Sequence, residues 1–314
     1  MKLEEKKSVP KVKSARSRKR MDNIWSWCIM ILPVIGFFAF TLYPMIWTMQ
    51  KGFYYYDKVP SNTRFVGWEN FITAMHDKTY WRVWISTFKF AIYKLPVEIP
   101  LALLLANFLR REIKCKGLFR AIYFMPSLIS VAVVGIIISN MFEYFGFFNA
   151  FLMKIGLIDA PKNWFENGTT AMIVLSTIGS TWTSFGINTL YFVSAFANVP
   201  EDLYEASAID GANAVQQFFK ITLPMIAPVM STILLFAIKG TLQTNEYILV
   251  TTGGAPGGQT FTIMAYLAKL YMPGFSEQGV NLGYGSAISM ITSVIMMAIA
   301  LTYQKLSNKM RSIY

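Results

Sequence analysis

Six long apolar segments constrain this 314-residue sequence more than any other feature. A helix that spans a bilayer needs about 20 mostly apolar residues, and each segment reaches that length. Charged residues make up only 15% of the chain and the mean hydropathy is +0.41, whereas soluble domains carry roughly 25% charged residues. The sequence therefore predicts an all-α polytopic membrane protein with six transmembrane helices, at residues 24–49, 83–109, 118–142, 170–197, 225–250 and 284–304.

The distribution of basic residues predicts how these helices are oriented. Eighteen of the 29 Lys and Arg residues lie in segments that face the cytoplasm if the N-terminus is inside, and eight lie in the external loops. Because cytoplasmic loops of membrane proteins are enriched in Lys and Arg, we expect both termini in the cytoplasm. The same orientation places the loop at 198–224, between the fourth and fifth helices, on the cytoplasmic side.

Composition divides the chain into a basic tail, a membrane domain and a short C-terminal tail. Residues 1–23 hold nine Lys and Arg and few apolar residues, so we predict a flexible cytoplasmic tail that lies near anionic lipid. RNA binding by this tail is the less favoured interpretation, and we expect no nucleic acid partner. Residues 24–304 form the predicted transmembrane domain, and residues 305–314 form a cytoplasmic C-terminal tail.

The residue types give little support for an enzyme. His76 is the sole histidine, and Cys28 and Cys115 are far apart in the sequence, so the sequence predicts neither a metal site nor a nucleophile with its base. The sequence contains no GxxxxGK[ST] loop for nucleotide phosphates. We therefore expect no cofactor in this chain, and any uphill transport must draw on a partner protein or an ion gradient.

Three charged residues lie inside the predicted second helix. Ionisable groups within a membrane span are costly and are therefore functional candidates. Lys94 and Glu98 are four residues apart and can pair on one helix face, while Lys89 lies five residues before Lys94. A structural ion pair and a role in ion movement are both open interpretations of this spacing.

The fourth helix carries polar residues near its middle, and the fifth carries them in its second half. On the fifth helix, Lys239, Gln243 and Glu246 form one stripe, which is typical of a helix that faces a cavity or a partner subunit. On the fourth, Trp182 lies among hydroxyl groups, and sugar sites combine aromatic faces with such groups, although these hydroxyls can also bond to their own helix. The candidate substrate-pathway residues are Ser180, Thr181, Trp182, Ser184, Gln243, Asn245 and Glu246.

The loop between the fourth and fifth helices carries a spaced motif. Its sequence indicates two short helices joined by a turn at Asp210-Gly211, since glycine reaches positive φ at no steric cost. The motif consists of Glu205-Ala206-Ser207, then Gly211, and then Ile221, Leu223 and Pro224. It resembles the coupling loop of importer-type ABC transporter permeases, E-A-A, three residues, G, nine residues, I-x-L-P, with Ser207 as its one departure. The stretches LYEASAIDGA, TTGGAP and LFRAIYFMP resemble the carbohydrate-uptake branch of that family.

This resemblance implies the type I ABC importer permease fold in a bacterial cytoplasmic (inner) membrane. It implies a pore-forming subunit of an ATP-driven importer for a sugar, an oligosaccharide in particular. The implied partners are a second, non-identical permease, two ATPase subunits that hold ATP and Mg, a solute-binding protein and the sugar. The implied ATPase-coupling residues are Glu205, Ala206, Ser207, Asp210, Gly211, Ile221, Leu223 and Pro224. The alternative is an ion-coupled secondary transporter or channel that uses Lys94, Glu98, Lys239 and Glu246.

Overall fold

The computed structural model describes residues 15–110, 114–271 and 280–311, with helices as the dominant element. The helices are α1 (Ala15–Phe37), α2 (Tyr43–Lys51), α3 (Glu69–His76), α4 (Lys78–Arg110), α5 (Lys116–Phe124), α6 (Val131–Met141), α7 (Phe147–Lys154), α8 (Gly168–Ile173), α9 (Thr181–Phe196), α10 (Glu201–Ile209), α11 (Ala214–Gln217), α12 (Leu223–Leu242), α13 (Glu246–Thr251), α14 (Ile263–Tyr271) and α15 (Leu282–Arg311). Three π-helical segments, Phe38–Leu42, Val174–Ser180 and Phe218–Thr222, join consecutive helices, and 3-10 turns form at Pro60–Asn62 and Met125–Leu128.

Helices occupy each of the six predicted apolar segments. Within the described ranges, four helices are long and apolar enough to cross a membrane, and the α5–α6 pair, bent by 94°, would make a fifth. The helix from α8 to α9, at the fourth segment, is not among these, because its serines and threonines lower its hydropathy. Helix α1 begins at Ala15, nine residues before the predicted start, so 15–23 of the predicted tail are helical and 1–14 lie outside the described residues.

Two apolar clusters form the core around α4. The larger cluster joins the first half of α4 to α6, α8, α13, α14 and α15, and includes Phe90, Val134 and Ile248. The smaller cluster joins the second half of α4 to α9 and α12. Alanines at 102 and 106 of α4 are fully buried in it, and small residues of this kind allow membrane helices to approach closely. The polar residues near position 94 of α4 therefore lie between two apolar layers.

A small lobe joins the ends of α2, α4 and α15. Strands β1 (Tyr54–Tyr55) and β2 (Arg64–Phe65) pair antiparallel, with Tyr54 opposite Phe65. The buried Asn70 amide donates to the carbonyls of Gly52 and Tyr54, both at 2.9 Å. The lobe is tied to α15, because the Tyr284 hydroxyl donates to Asp77 Oδ2 at 2.6 Å.

Candidate functional site

The motif-bearing loop folds as an exposed helical hairpin. Helix α10 ends at Ile209 with Asp210 as its C-cap, and Gly211 follows with φ of +80°, a conformation that favours glycine. The chain then reverses into α11, whose first turn is closed by a capping box between Asn213 and Gln216. The predicted two-helix hairpin with a turn at Asp210-Gly211 is therefore present in the structure, and α9 and α12 lie on either side of it.

Side-chain hydrogen bonds hold the two arms of the hairpin together. The Gln217 amide donates to Ser207 Oγ at 2.9 Å and to the Tyr204 carbonyl at 3.2 Å. The Tyr204 hydroxyl lies 2.8 Å from Oγ1 of Thr222, the last residue of the π-helical segment before α12. The guanidinium carbon of Arg110, the last residue of α4, lies 4.1 Å from the centroid of the Tyr204 ring. Tyr204 thus links the hairpin to α4 and to the segment that leads into α12.

The tip of the hairpin presents apolar side chains to the surroundings. Ile209 is 87% exposed and Val215 is 64% exposed, and neither α10 nor α11 contains a buried residue. The predicted coupling residues Glu205, Ala206, Asp210 and Gly211 are exposed, whereas Ser207, Ile221, Leu223 and Pro224 are half-buried. Protruding apolar groups around a thin helical turn are suited to insertion into a groove on another protein.

A cavity of about 520 Å³ lies between α4, α9 and α12. Its walls are rich in hydroxyl and amide groups, contributed by Ser180, Thr183, Ser184, Asn188, Thr241, Gln243, Thr244 and Asn245, and Lys94, Glu98 and Glu246 also line it. Apolar walls come from residues such as Ile187 and Phe236. This mixture of a few oriented polar groups with apolar surface is typical of small-molecule sites.

One wall of the cavity is formed by an interruption in the fifth predicted helix. Helix α12 ends at Leu242 and α13 begins at Glu246, so residues 243–245 belong to neither helix. The side chain of Asn245 accepts from the Glu246 N–H at 2.6 Å, and the Thr244 carbonyl accepts from the Thr262 hydroxyl. Unwound backbone inside a membrane domain is tolerated where it lines a cavity, which agrees with the position of this break.

A buried polar network forms the part of the cavity wall where α4, α9 and α12 meet. Lys94 Nζ lies 3.3 Å from Glu98 Oε2 and donates to Thr241 Oγ1 at 3.3 Å. The Asn188 amide donates to Glu98 Oε1 at 2.7 Å. All four side chains are buried. The two charges compensate each other, and neutral partners on α9 and α12 supply hydrogen bonds to them. The network joins three spanning elements in one place.

Five of the seven candidate substrate-pathway residues line the cavity: Ser180, Ser184, Gln243, Asn245 and Glu246. Thr181 is buried and donates to the Ser176 carbonyl at 3.0 Å. Trp182 packs against the larger apolar cluster. Thr181 thus lies in the protein interior and the half-buried Trp182 lies against the apolar cluster, and neither is among the residues that line the cavity. A substrate contact by Trp182 stays a prediction. Ser184 both lines the cavity and donates to the Ser180 carbonyl at 2.9 Å.

Sequence reasoning missed several cavity residues. Asn188 and Thr241 were not predicted to meet the Lys94–Glu98 pair, because their contact depends on how α9 and α12 pack on α4. Thr183, Thr244 and Tyr191 also line the cavity but are not among the candidate substrate-pathway residues. The i, i+4 charge pair and the polar residues of the fourth and fifth helices were the signals that pointed to this region.

The fold and these two features define a class of protein: a polytopic helical membrane protein with a polar cavity inside and an exposed hairpin between two spans. Residues 98–312 match the family model for the binding-protein-dependent transport system inner membrane component. This covers more than half of the chain, so the chain belongs to that family.

Similar proteins are sugar permeases. The chain is 34% identical to the arabinooligosaccharides transport system permease protein AraP of Bacillus subtilis, over 88% of this chain and 87% of that protein. It is 29% identical to the lactose transport system permease protein LacF of Rhizobium radiobacter, over 91% and 94%. It is also 29% identical to the trehalose/maltose transport system permease protein MalF of Thermococcus litoralis, over 88% and 87%.

The same fold occurs in a solved structure of a bacterial ABC transporter involved in the import of the acidic polysaccharide alginate. The two chains align with a TM-score of 0.77 and 22% identity, over 94% of this chain and 99% of the other. The predicted all-α importer-permease fold is thereby confirmed. The chain is a permease subunit of a sugar ABC importer and, like its relatives, a transport subunit rather than an enzyme.

Proposed function

We propose that this subunit forms part of the pore of an ATP-driven oligosaccharide importer, with the cavity as its substrate path and the hairpin as its contact with the ATPase. One observation carries this proposal: α9 and α12, which line the cavity, are the helices that enter and leave the hairpin. Because helices are stiff over these lengths, displacement of the hairpin reaches the cavity walls directly.

The cavity supports a neutral oligosaccharide as the substrate. Its volume of about 520 Å³ falls within the roughly 300–1,000 Å³ of typical ligand sites. Hydroxyl and amide groups can donate to and accept from sugar hydroxyls, and the one cation in the wall, Lys94, is already paired with Glu98. The relatives' names add support, since they include transporters for arabinooligosaccharides and for trehalose or maltose.

The hairpin supports coupling to a separate ATPase. We infer that its exposed tip inserts into a groove on an ATPase subunit, which binds ATP and Mg. Glu205 and Asp210 flank the small residues Ala206 and Ser207 and are available for charge-assisted hydrogen bonds. The complete importer would contain a second, non-identical permease, two ATPase subunits and a solute-binding protein. Hairpin and termini would then lie on the cytoplasmic side of a bacterial inner membrane.

Gly240 offers a direct test of the substrate path. It lines the cavity, and a Cβ built at this position meets nothing within 4 Å. We therefore expect Gly240→Phe to fill the cavity without disturbing the helix, and uptake of labelled oligosaccharide by reconstituted importer to fall at least tenfold. Gly36→Phe is the matched control, because its Cβ also meets open space but lies on α1. Normal uptake by Gly240→Phe would contradict the proposal.

The ion-coupled alternative makes an opposite prediction. It requires Lys94, Glu98, Lys239 and Glu246 to form one path, yet Lys239 lies in a separate groove with Met296 and Tyr303. Sugar uptake that stops on removal of the ATPase and persists with a protonophore would support the importer. Uptake with the reverse sensitivities would support the alternative.

A further inference from the structure

A second polar cavity, of about 320 Å³, lies beside the first half of α4. Helix α4 contributes Arg82, Ser86, Lys89 and Tyr93 to its wall, and Thr169 and Gln259 lie across from them. The two cavities are lined by neighbouring positions of α4, because Tyr93 lines this cavity and the next residue, Lys94, lines the other. It lies towards the end of α4 that bears the predicted external loops.

The charge of this cavity is uncompensated. Arg82 and Lys89 are seven residues apart, which places them two turns and about 10 Å apart on one face of α4. Among the described residues no carboxylate lines the cavity, and neither cation forms an ion pair with them, whereas Lys94 does. Arg82 and Lys89 are exposed on this chain, and Lys89 lies about a third of the way along α4, at a depth where an ammonium group that faces lipid is costly unless a counter-ion accompanies it.

The remaining polar groups of the wall are suited to an oxyanion. Ser86, Tyr93 and Thr169 carry hydroxyl donors, Gln259 carries an amide, and the Arg82 guanidinium can bind two oxygens at once. Gln259 reaches the wall because Gly168 has no side chain: a Cβ at Gly168 would lie 2.7 Å from the Gln259 Cβ. Two cations with several neutral donors and no carboxylate match carboxylate or phosphate chemistry.

We propose that Arg82 and Lys89 form an anion subsite that binds a carboxylate or phosphate group beside the substrate path. The group comes either from an acidic sugar on its way to the cavity or from the headgroup of an anionic lipid. The first source rests on the proposed function and extends it to substrates with acidic residues. The second source does not depend on transport at all.

Binding measurements on the intact importer in lipid nanodiscs, without ATP or solute-binding protein, test this subsite. In phosphatidylcholine discs, digalacturonate is titrated against wild type, Arg82→Gln/Lys89→Gln and the charge-conserving Arg82→Lys/Lys89→Arg. Native mass spectrometry counts phosphatidylglycerol retained from mixed discs. Lys78→Gln is the control, since it removes a cation from the same helix outside the cavity.

We expect the double Gln variant to bind one of these two ligands at least tenfold more weakly than wild type does. Salt should weaken binding of that ligand to wild type, and the charge-conserving variant should retain the binding. Loss of digalacturonate binding identifies the sugar source, and loss of retained phosphatidylglycerol identifies the lipid source. Equal binding of both probes by wild type and the double Gln variant overturns the proposal, as does an equal loss in Lys78→Gln. Neither readout requires ATP hydrolysis, so failure here is distinct from failure of the importer function.

Discussion

At the scale of single residues, Lys94 and Glu98 are the positions in the membrane domain where loss of one side chain is expected to cost the most stability. Both are buried, and each depends on the other and on a neutral partner, Thr241 or Asn188. Removal of one partner from a buried ion pair costs about 3–5 kcal/mol, whereas replacement of both by neutral groups of similar volume is often neutral. The network therefore fixes the relative positions of three helices and adds little net stability.

Lys94→Met is expected to lower the stability of the importer by about 3–5 kcal/mol, because it leaves the Glu98 carboxylate buried without a counter-charge. Lys94→Met/Glu98→Gln should recover at least half of this loss. Thermal unfolding of the purified importer in detergent measures both changes as shifts in Tm. Lys239→Met is the control, since Lys239 is exposed. A double variant no more stable than Lys94→Met would show that the two residues are not coupled.

Gly211 gives a second prediction at this scale. Its φ of +80° costs other residues about 1–2 kcal/mol, with Asn the best tolerated, and a Cβ there meets nothing within 4 Å. Gly211→Val is therefore expected to distort the turn and to reduce sugar-stimulated ATP hydrolysis several-fold, while Gly211→Asn retains most of it. Equal activity of the Val and Asn variants would show that the backbone conformation of this turn does not matter for coupling.

At the scale of elements, the apolar segments could be predicted from sequence because each needs only length and hydropathy. The hairpin could be predicted because Asp210-Gly211 is a local turn signal. The break between α12 and α13 could not, since Gln243, Thr244 and Asn245 are compatible with a helix, and the break depends on Thr262 from a distant segment. The packing of Trp182 against the apolar cluster could not be predicted either, because the composition of α9 does not reveal which side faces that cluster.

The contact between Arg110 and Tyr204 predicts that α4 moves together with the hairpin. We expect Arg110→Gln to keep the ATPase bound but to lower the amount of sugar transported per ATP several-fold, because the cation–π contact at 4.1 Å is lost. Arg110→Lys, which retains the charge, should restore part of the coupling. Sugar uptake and ATP hydrolysis are measured in the same proteoliposomes.

Tyr204→Phe is the matched variant for this prediction. It keeps the ring under Arg110 but removes the hydroxyl contact with Thr222, so its effect should be smaller than that of Tyr204→Leu, which removes both. A normal transport-to-ATP ratio in Arg110→Gln and Tyr204→Leu would rule out a coupling role for this contact while leaving the hairpin's own docking role intact.

At the scale of the whole molecule, the two apolar clusters and the polar layer between them explain how one chain can hold a cavity inside a membrane. The clusters fix α4 against its neighbours on either side of the cavity, and the polar network joins the helices at the level between the clusters. The exposed apolar surface outside the clusters, such as Ile31, Leu32 and Phe40 of the first span, is surface for lipid or for other subunits.

The predicted orientation can be tested with the two native cysteines and one new one. Cys115 lies in the basic loop between α4 and α5 and is exposed, and the excess of Lys and Arg predicts that this loop lies in the cytoplasm. A membrane-impermeant maleimide should therefore leave Cys115 unlabelled in intact spheroplasts and label it in inverted vesicles. Ser61→Cys, in the exposed turn between β1 and β2, should show the opposite pattern. Cys28→Ser removes background labelling of the first span. Labelling of Cys115 in intact spheroplasts would show that the orientation is opposite to the predicted one, with the hairpin on the side without ATP.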